Sequence, residues 1–437
     1  MGVLVGQERY TGGVLPGNES AGQSQGSREI YQYDYDPGEE LTKAPPATYA
    51  GPYTFNDPRG NIGAWATPFT RLPAGNSTAR LGLTDIYLRA TLTGEYVDNI
   101  NLSENNPESD IIASVTPVLY ARRPLGDNHQ VGFQTGLRLA QYFERSDLTT
   151  SDPFFGGDAT FGMRNLTLSL SDYFVRSSDP SQSYFITNQE KVVRYNNNFT
   201  AALSRQFGKL GGSVGYVRTD QDYESEDYAS LDSSSNGGFG RLTLPLSPSV
   251  RSFLAYEHVN REYKVDTRAD YTSDDIRIGL QDQLTRYISG QVNGGVMVRE
   301  YGQTSNPRDQ DSLSEFVFSA SLRHELREGT VQSIYFNKSP SDNPDGNFFS
   351  RWTAGWRLSH LLRNDLSVYT GLAYSNVSSS VDNGEDANIW SAMAGGSYPV
   401  AKNANLGLSY RYQTRDSDSE GRSYDQNRVS LSLSIFF

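Results

Sequence analysis

The chain closes on Arg428-Val429-Ser430-Leu431-Ser432-Leu433-Ser434-Ile435-Phe436-Phe437. Successive side chains of an extended strand face opposite ways. Val429, Leu431, Leu433, Ile435 and Phe437 therefore share one face, and Arg428, Ser430, Ser432, Ser434 and Phe436 share the other. One face is apolar and the other mostly polar. A strand of this kind meets lipid on one side and water on the other, as the strands of a transmembrane β-barrel do.

The same alternation runs back to about residue 84. Eighteen strands are expected, at 84–100, 108–122, 128–144, 154–163, 165–178, 190–206, 210–226, 231–245, 249–264, 270–285, 287–303, 312–326, 329–339, 347–361, 364–379, 386–400, 403–417 and 422–437. Their connections alternate in character. One set is short and rich in turn formers, such as Pro124-Leu125-Gly126-Asp127 and Arg327-Glu328-Gly329. The other set is long and mostly acidic, as in 221–232 and 415–422. Short turns at one rim and long loops at the other are the outer-membrane arrangement. The expected fold is all-β: an antiparallel up-and-down transmembrane barrel of about 18 strands, with periplasmic turns and acidic extracellular loops. An even count returns both termini to the periplasmic side.

Bulk composition agrees once a barrel is considered. Hydrophobic residues make up 36% of the 437 and the mean hydropathy is −0.58. A helical span needs about 20 consecutive apolar residues, whereas a barrel strand needs only every second one. The 28 Tyr and 20 Phe suit aromatic girdles at two interfaces. An array of soluble β-sandwiches shares this composition, but has no reason to alternate short and long connections. Absence of Cys excludes a disulfide scaffold, a thiolate metal site and a lipobox cysteine. The net charge is −13 and no basic stripe with interleaved aromatics occurs, which argues against nucleic-acid binding.

Alternation also assigns faces. Outward positions include Leu88, Leu92, Phe133, Leu139, Val296, Phe316, Trp352, Leu372 and Leu408. The opposite face turns Arg89, Arg138, Arg241, Arg277, Arg299, Arg323, Arg351, Arg357, Arg411 and Arg428 inward, with Glu95, Glu257 and Glu315 as the acids. These thirteen are the expected pore-lining residues, forming a basic wall beneath acidic loops. Such a wall favours anions or acidic sugars, although local ion pairs that merely brace the wall would use the same residues. Tyr96, Tyr142, Tyr173, Tyr216, Tyr256, Tyr301, Tyr374 and Trp390 suit either sugar-stacking platforms or an interface girdle, and are read chiefly as girdle.

Residues 1–77 are a separate unit, rich in Gly, Pro, Ser and acids, expected to be a largely irregular periplasmic tether or plug; 78–437 form the barrel. No secretory h-region follows Met1, so a mature form is expected. His129, His258, His324 and His360 lie on separate strands and in no nucleophile motif, and no metal-ligand spacing occurs, so neither catalysis nor a cofactor or metal is expected. The acidic runs 220–224 and 382–386 do not complete a calcium loop.

Leu431, Leu433, Ile435 and Phe437 resemble the carboxyl-terminal signal read by the outer-membrane barrel assembly machinery, with Ser432 where that signal often has Gly. Gly94-Glu95-Tyr96-Val97-Asp98-Asn99-Ile100, Leu168-Ser169-Leu170-Ser171-Asp172-Tyr173 and the run of long strands to Phe437 resemble the β-barrel porin family found beside exopolysaccharide and exosortase gene sets. The resemblance covers about residues 84 to 437. It implies a cell outer-membrane conduit for small solutes or exported polysaccharide. Lipid, lipopolysaccharide and the assembly machinery are the expected partners, with a periplasmic partner for 1–77. The alternative is an occluded attachment barrel that binds through its loops or through 1–77.

Overall fold

The computed structural model describes residues 78–126, 128–178, 191–265, 268–302, 311–342, 348–362, 365–380 and 384–437. The 1–77 unit lies outside the described residues. The strands are β1 (Ala79–Leu81), β2 (Thr84–Val97), β3 (Asp110–Gly126), β4 (His129–Tyr142), β5 (Thr150–Met163), β6 (Leu166–Ser177), β7 (Arg194–Phe207), β8 (Leu210–Tyr223), β9 (Ser233–Pro245), β10 (Val250–Tyr263), β11 (Tyr271–Gln283), β12 (Ile288–Tyr301), β13 (Ser312–Arg327), β14 (Thr330–Asp342), β15 (Phe348–Leu361), β16 (Ser367–Ser379), β17 (Asp386–Ala401), β18 (Ala404–Ser417) and β19 (Tyr424–Phe436).

From β2 onward each strand pairs antiparallel with the next, and β19 pairs with β2, closing an eighteen-stranded ring. Closure follows from solvation. An unpaired backbone amide or carbonyl in hydrocarbon costs several kcal/mol, so a sheet in lipid cannot keep an edge. At the seam Leu433 stands opposite Leu92 and Leu431 opposite Gly94. Boundaries differ from the sequence expectation by up to four residues: β3 runs into the expected turn at 124–127, as far as Gly126 rather than ending at 122, and β7 starts at Arg194 rather than 190. β5 starts at Thr150 rather than 154, and β14 runs on to Asp342 rather than 339. The three-residue β1, which pairs with the start of β2, was not anticipated.

The outer face is apolar across the ring. Leu92, Phe133, Leu254, Ile278, Val296, Leu372, Leu408 and Leu431 are all exposed. Towards the long-connection rim this face ends in a recurring diagonal. Tyr216, Tyr256, Tyr374, Tyr410 and Tyr412 each donate a phenol hydrogen bond to Asn or Asp on the next strand: Asn236, Asp274, Asn388, Asn427 and Asp425, at 2.5–2.9 Å. In each case the acceptor sits two residues beyond the direct cross-strand partner. Rings also run in contact around the outside, from Phe318 through Phe336, Trp352 and Tyr374 to Trp390, with centroids 4.4–6.0 Å apart. Amphipathic rings with a wet tip and an apolar body mark the edge of a hydrocarbon layer. Of the eight aromatics assigned to a girdle, Tyr142, Tyr173 and Tyr301 instead belong to the inner face, by the parity of their strands.

Candidate functional site: the inner wall and its mouth

The inner face is built from the alternate positions that the apolar exterior leaves over. Arg89 and Glu95 of β2, Arg138 of β4, Arg241 of β9, Glu257 of β10, Arg277 of β11, Arg299 of β12, Glu315 and Arg323 of β13, Arg351 and Arg357 of β15, Arg411 of β18 and Arg428 of β19 all occupy such positions. Arg138, Arg241, Glu257, Arg277 and Arg299 are buried. Register brings several together. Arg411 lies directly opposite Arg428, Arg323 and Arg357 flank Ser333, and Arg241 and Arg277 flank Ala255.

The acids on this face extend beyond the three glutamates read from sequence. Asp275 forks onto Arg277 at 2.5–2.9 Å, and Asp152, wholly buried, lies 3.8 Å from Arg138 and 2.7 Å from Arg176. Glu95 is 3.8 Å from Arg428. The wall is thus partly neutralised, and it is not polar throughout. Val118, Tyr120, Phe154 and Val175 form an apolar patch on its β3–β6 side.

At the long-connection rim β14 parts from β13 beyond the Phe318–Lys338 pair, while β15 stays paired with β16 back to Phe349; the tip of this hairpin comprises 338–342 and 348–350. Strand spacing puts β10 about 19 Å from β14 along the cylinder, roughly four steps of 4.8 Å. Yet Asp342 of β14 forms an ion pair with Arg261 of β10, accepts the Tyr271 hydroxyl at 3.1 Å, and lies 3.4 Å from Arg299 of β12. Other even-numbered residues of the tip do likewise. Lys338 and Ser350 reach Glu315 at 3.3 and 2.5 Å, and Phe348 stacks on Tyr301 at 6.3 Å. Strict parity would send these side chains to lipid. The odd face of the same tip packs Phe349 against Val377 and Ile389 of β16 and β17. Consecutive buried residues, Phe348 and Phe349, require cover on both sides. The end of β14, with Phe348 beside it, therefore leans into the mouth towards the inner faces of β10–β13, while Phe349 stays against β16 and β17. Pro340, itself buried, removes one ladder donor where the tip turns in.

The family model described as Putative beta-barrel porin 2 matches residues 79–437. The chain belongs to this family. Among solved structures, Acinetobacter baumannii OccAB4 is similar at 11% identity, covering 82% of this chain and 99% of that one, with a TM-score of 0.45. Pseudomonas aeruginosa OpdL gives 13%, 82%, 100% and 0.46. A BenF-like porin from Pseudomonas fluorescens Pf-5 gives 10%, 81%, 99% and 0.48. No curated protein matches. Membership makes the chain a porin-like β-barrel and implies the outer membrane as its location.

Around the mouth of this porin-family barrel, Arg299 of the expected wall is joined by Arg261, Tyr263, Arg268, Tyr271 and Asp342, which the strand pattern did not flag. Arg261, Arg299, Tyr271 and Asp342 meet as described, and Arg268, from the β10–β11 connection, stacks its guanidinium 4.2 Å over the Tyr263 ring. Arg299 stacks 4.6 Å over Tyr271, which meets Tyr301 edge-on at 5.5 Å. Arg261 lies loopward of the His258–Asp274 pair, where the tyrosine diagonal ends the apolar face, so the cluster stands at the rim and not at mid-membrane.

A second rim cluster ties two connections together. Glu385, buried just before β17, pairs with Arg415 of β18, accepts from Ser417 at 2.6 Å and pairs with Arg422 at 2.8 Å. Burial pushes its carboxyl up, but the Arg415 charge and these hydrogen bonds outweigh it and hold it below the ordinary 4.5. A depressed carboxyl contributes stability that is full above its ordinary value and is lost as pH falls through the depressed one. Protection of the 417–423 amides from exchange, taken relative to the intrinsic rate at each pH, should therefore be high at pH 7 and be lost on acidification below the ordinary carboxylate value. Glu385→Gln should lack this protection in both conditions, because it accepts more weakly and carries no charge.

Proposed function

We propose that the barrel is a passive channel for small anionic solutes or acidic segments of an exported polysaccharide, with the arginines of its inner wall setting charge preference. The observation that carries this is the register placing Arg411 against Arg428, with Arg357 and Arg323 in the same cross-strand row. Like charges directly opposite one another destabilise a sheet. Their retention on the wet face suits a path that anions share. A low-dielectric wall focuses such a field onto the lumen. On this account the long connections face outward from the cell and the turns face the periplasm, and no step of chemistry is required of the chain.

Planar-bilayer recording of the full chain in a salt gradient tests the proposal. The expected result is an open channel whose reversal potential lies towards the anion, moving towards the cation for Arg357→Glu with Arg411→Glu. An open channel with no such movement rejects the basic lumen.

A second reading, an occluded attachment barrel, is favoured by one observation. An eighteen-stranded ring is too wide for wall side chains to fill, yet inner-face Met297 and Val317 have 0% exposure. On that reading the 1–77 unit fills the lumen or holds a periplasmic partner. Current that appears only after deletion of 1–77 would select it.

A further inference from the structure

The mouth cluster holds more donors than its one carboxylate can use. Asp342 takes Arg261, the Tyr271 hydroxyl and one Arg299 nitrogen. Both terminal nitrogens of Arg268 and the hydroxyl of Tyr263 are buried, and among the described residues none has a hydrogen-bond partner; Nε of Arg299 and the Tyr301 hydroxyl are buried beside them, with Arg299 and Tyr301 acting on each other. Arg299 is only 3% exposed. Three guanidinium groups against one carboxylate leave an excess of positive charge, and Arg268 also acts electrostatically on Asp342. Buried donors left unpaired are costly, most of all when charged. A cluster that retains three such atoms, two of them on one guanidinium, is built for an acceptor that comes and goes.

We propose that Arg268, Arg299, Tyr263 and Tyr301 form a binding site for a carboxylate-bearing sugar, beside the Asp342 carboxylate at the barrel mouth. The planar fork of Arg matches the two oxygens of a carboxylate, the acceptor that Asp342 already presents to this cluster. The half-buried Tyr301 ring, held between Tyr271 and Phe348, offers an apolar edge for the body of a pyranose. Asp342 acts as a fixed competitor. It anchors the hairpin tip and repels a second negative charge, so the site releases its ligand readily, as a solute route requires.

The proposal rests on the channel reading only for what happens to the ligand next. Binding itself is measured without current, by calorimetry on the full chain in detergent. D-glucuronate is the probe, with D-glucose and inorganic phosphate for comparison. Glucuronate should bind with heat that glucose does not give, and phosphate should bind more weakly. Arg268→Gln lies in a connection, outside the strands that close the ring, and should weaken glucuronate about tenfold or more through loss of a charged hydrogen bond. Asp342→Asn should tighten it by about tenfold, since a like charge is removed nearby. Unchanged affinity in Arg268→Gln, equal binding of glucose, tighter binding of phosphate, or weaker binding in Asp342→Asn would each overturn the site. Glucuronate binding in a protein that never conducts would leave the site standing and remove the channel reading. Conduction without glucuronate binding would do the reverse.

Discussion

Leu431→Arg is expected to stop most of the protein from folding into lipid. Leu431 is exposed on the outer face of β19, opposite Gly94 on one side and Leu408 on the other. An arginine on the lipid face near mid-membrane costs about 2–4 kcal/mol. Here it falls on the strand that closes the ring and carries the residues resembling the assembly signal. Ser430→Arg, one residue away, turns to the inner face opposite Glu95 and should fold as the parent does. The folded fraction in liposomes, read by heat-modifiable migration, separates the two. Equal loss in both variants would show that the chain position matters and the face does not.

Gly295→Val is expected to be the most damaging change away from that seam. A Cβ at 295 would fall on the Ile276 carbonyl oxygen and lie 2.8 Å from the Arg277 Cα. Both are backbone atoms of the paired strand β11, so no rotamer change can relieve the contact. The ladder itself must open, taking with it the Arg277–Gly295 pairing. Overpacking of a tight site typically costs about 1–3 kcal/mol, and loss of ladder pairing in lipid adds to that. Gly355→Ala is the milder case, because its Cβ would meet the Tyr335 ring, a side chain that can swing. Gly294→Ala should be close to neutral, with only the Phe316 and Phe318 rings nearby at 3.3–3.6 Å. Urea midpoints in liposomes should rank the three in that order.

The ring was legible because strand parity is a local property. β19 announces its two faces in ten residues, and the same period recurs until the chain returns to its start. The inner arginines were legible for the same reason, since a charge at an alternate position has one tolerable side. The acids that partner them were harder. Asp152 and Asp275 are single residues whose strands carry weaker alternation, as in Thr150-Ser151-Asp152-Pro153. The inner apolar patch was invisible: in Val118-Leu119-Tyr120-Ala121 both faces look greasy, and only the burial of Val118 and Tyr120 tells them apart. The mouth was missed for a different reason. Past Pro340 the hairpin tip turns in, so Asp342 and Phe348 lie where parity forbids, and their partners are up to four strands away. Nothing in a single stretch of sequence encodes that contact.

The chain lacks Cys, so a single engineered pair reports without competition. Thr93→Cys with Ser432→Cys places two thiols opposite each other across the β19–β2 seam, on the inner face. After insertion into liposomes the reduced thiols should be out of reach of a lipid-soluble thiol reagent, and mild oxidation should then form an intramolecular disulfide in nearly every folded molecule. Cross-links only between molecules, or none, would mean that the first and last long strands do not meet and that the cylinder does not close.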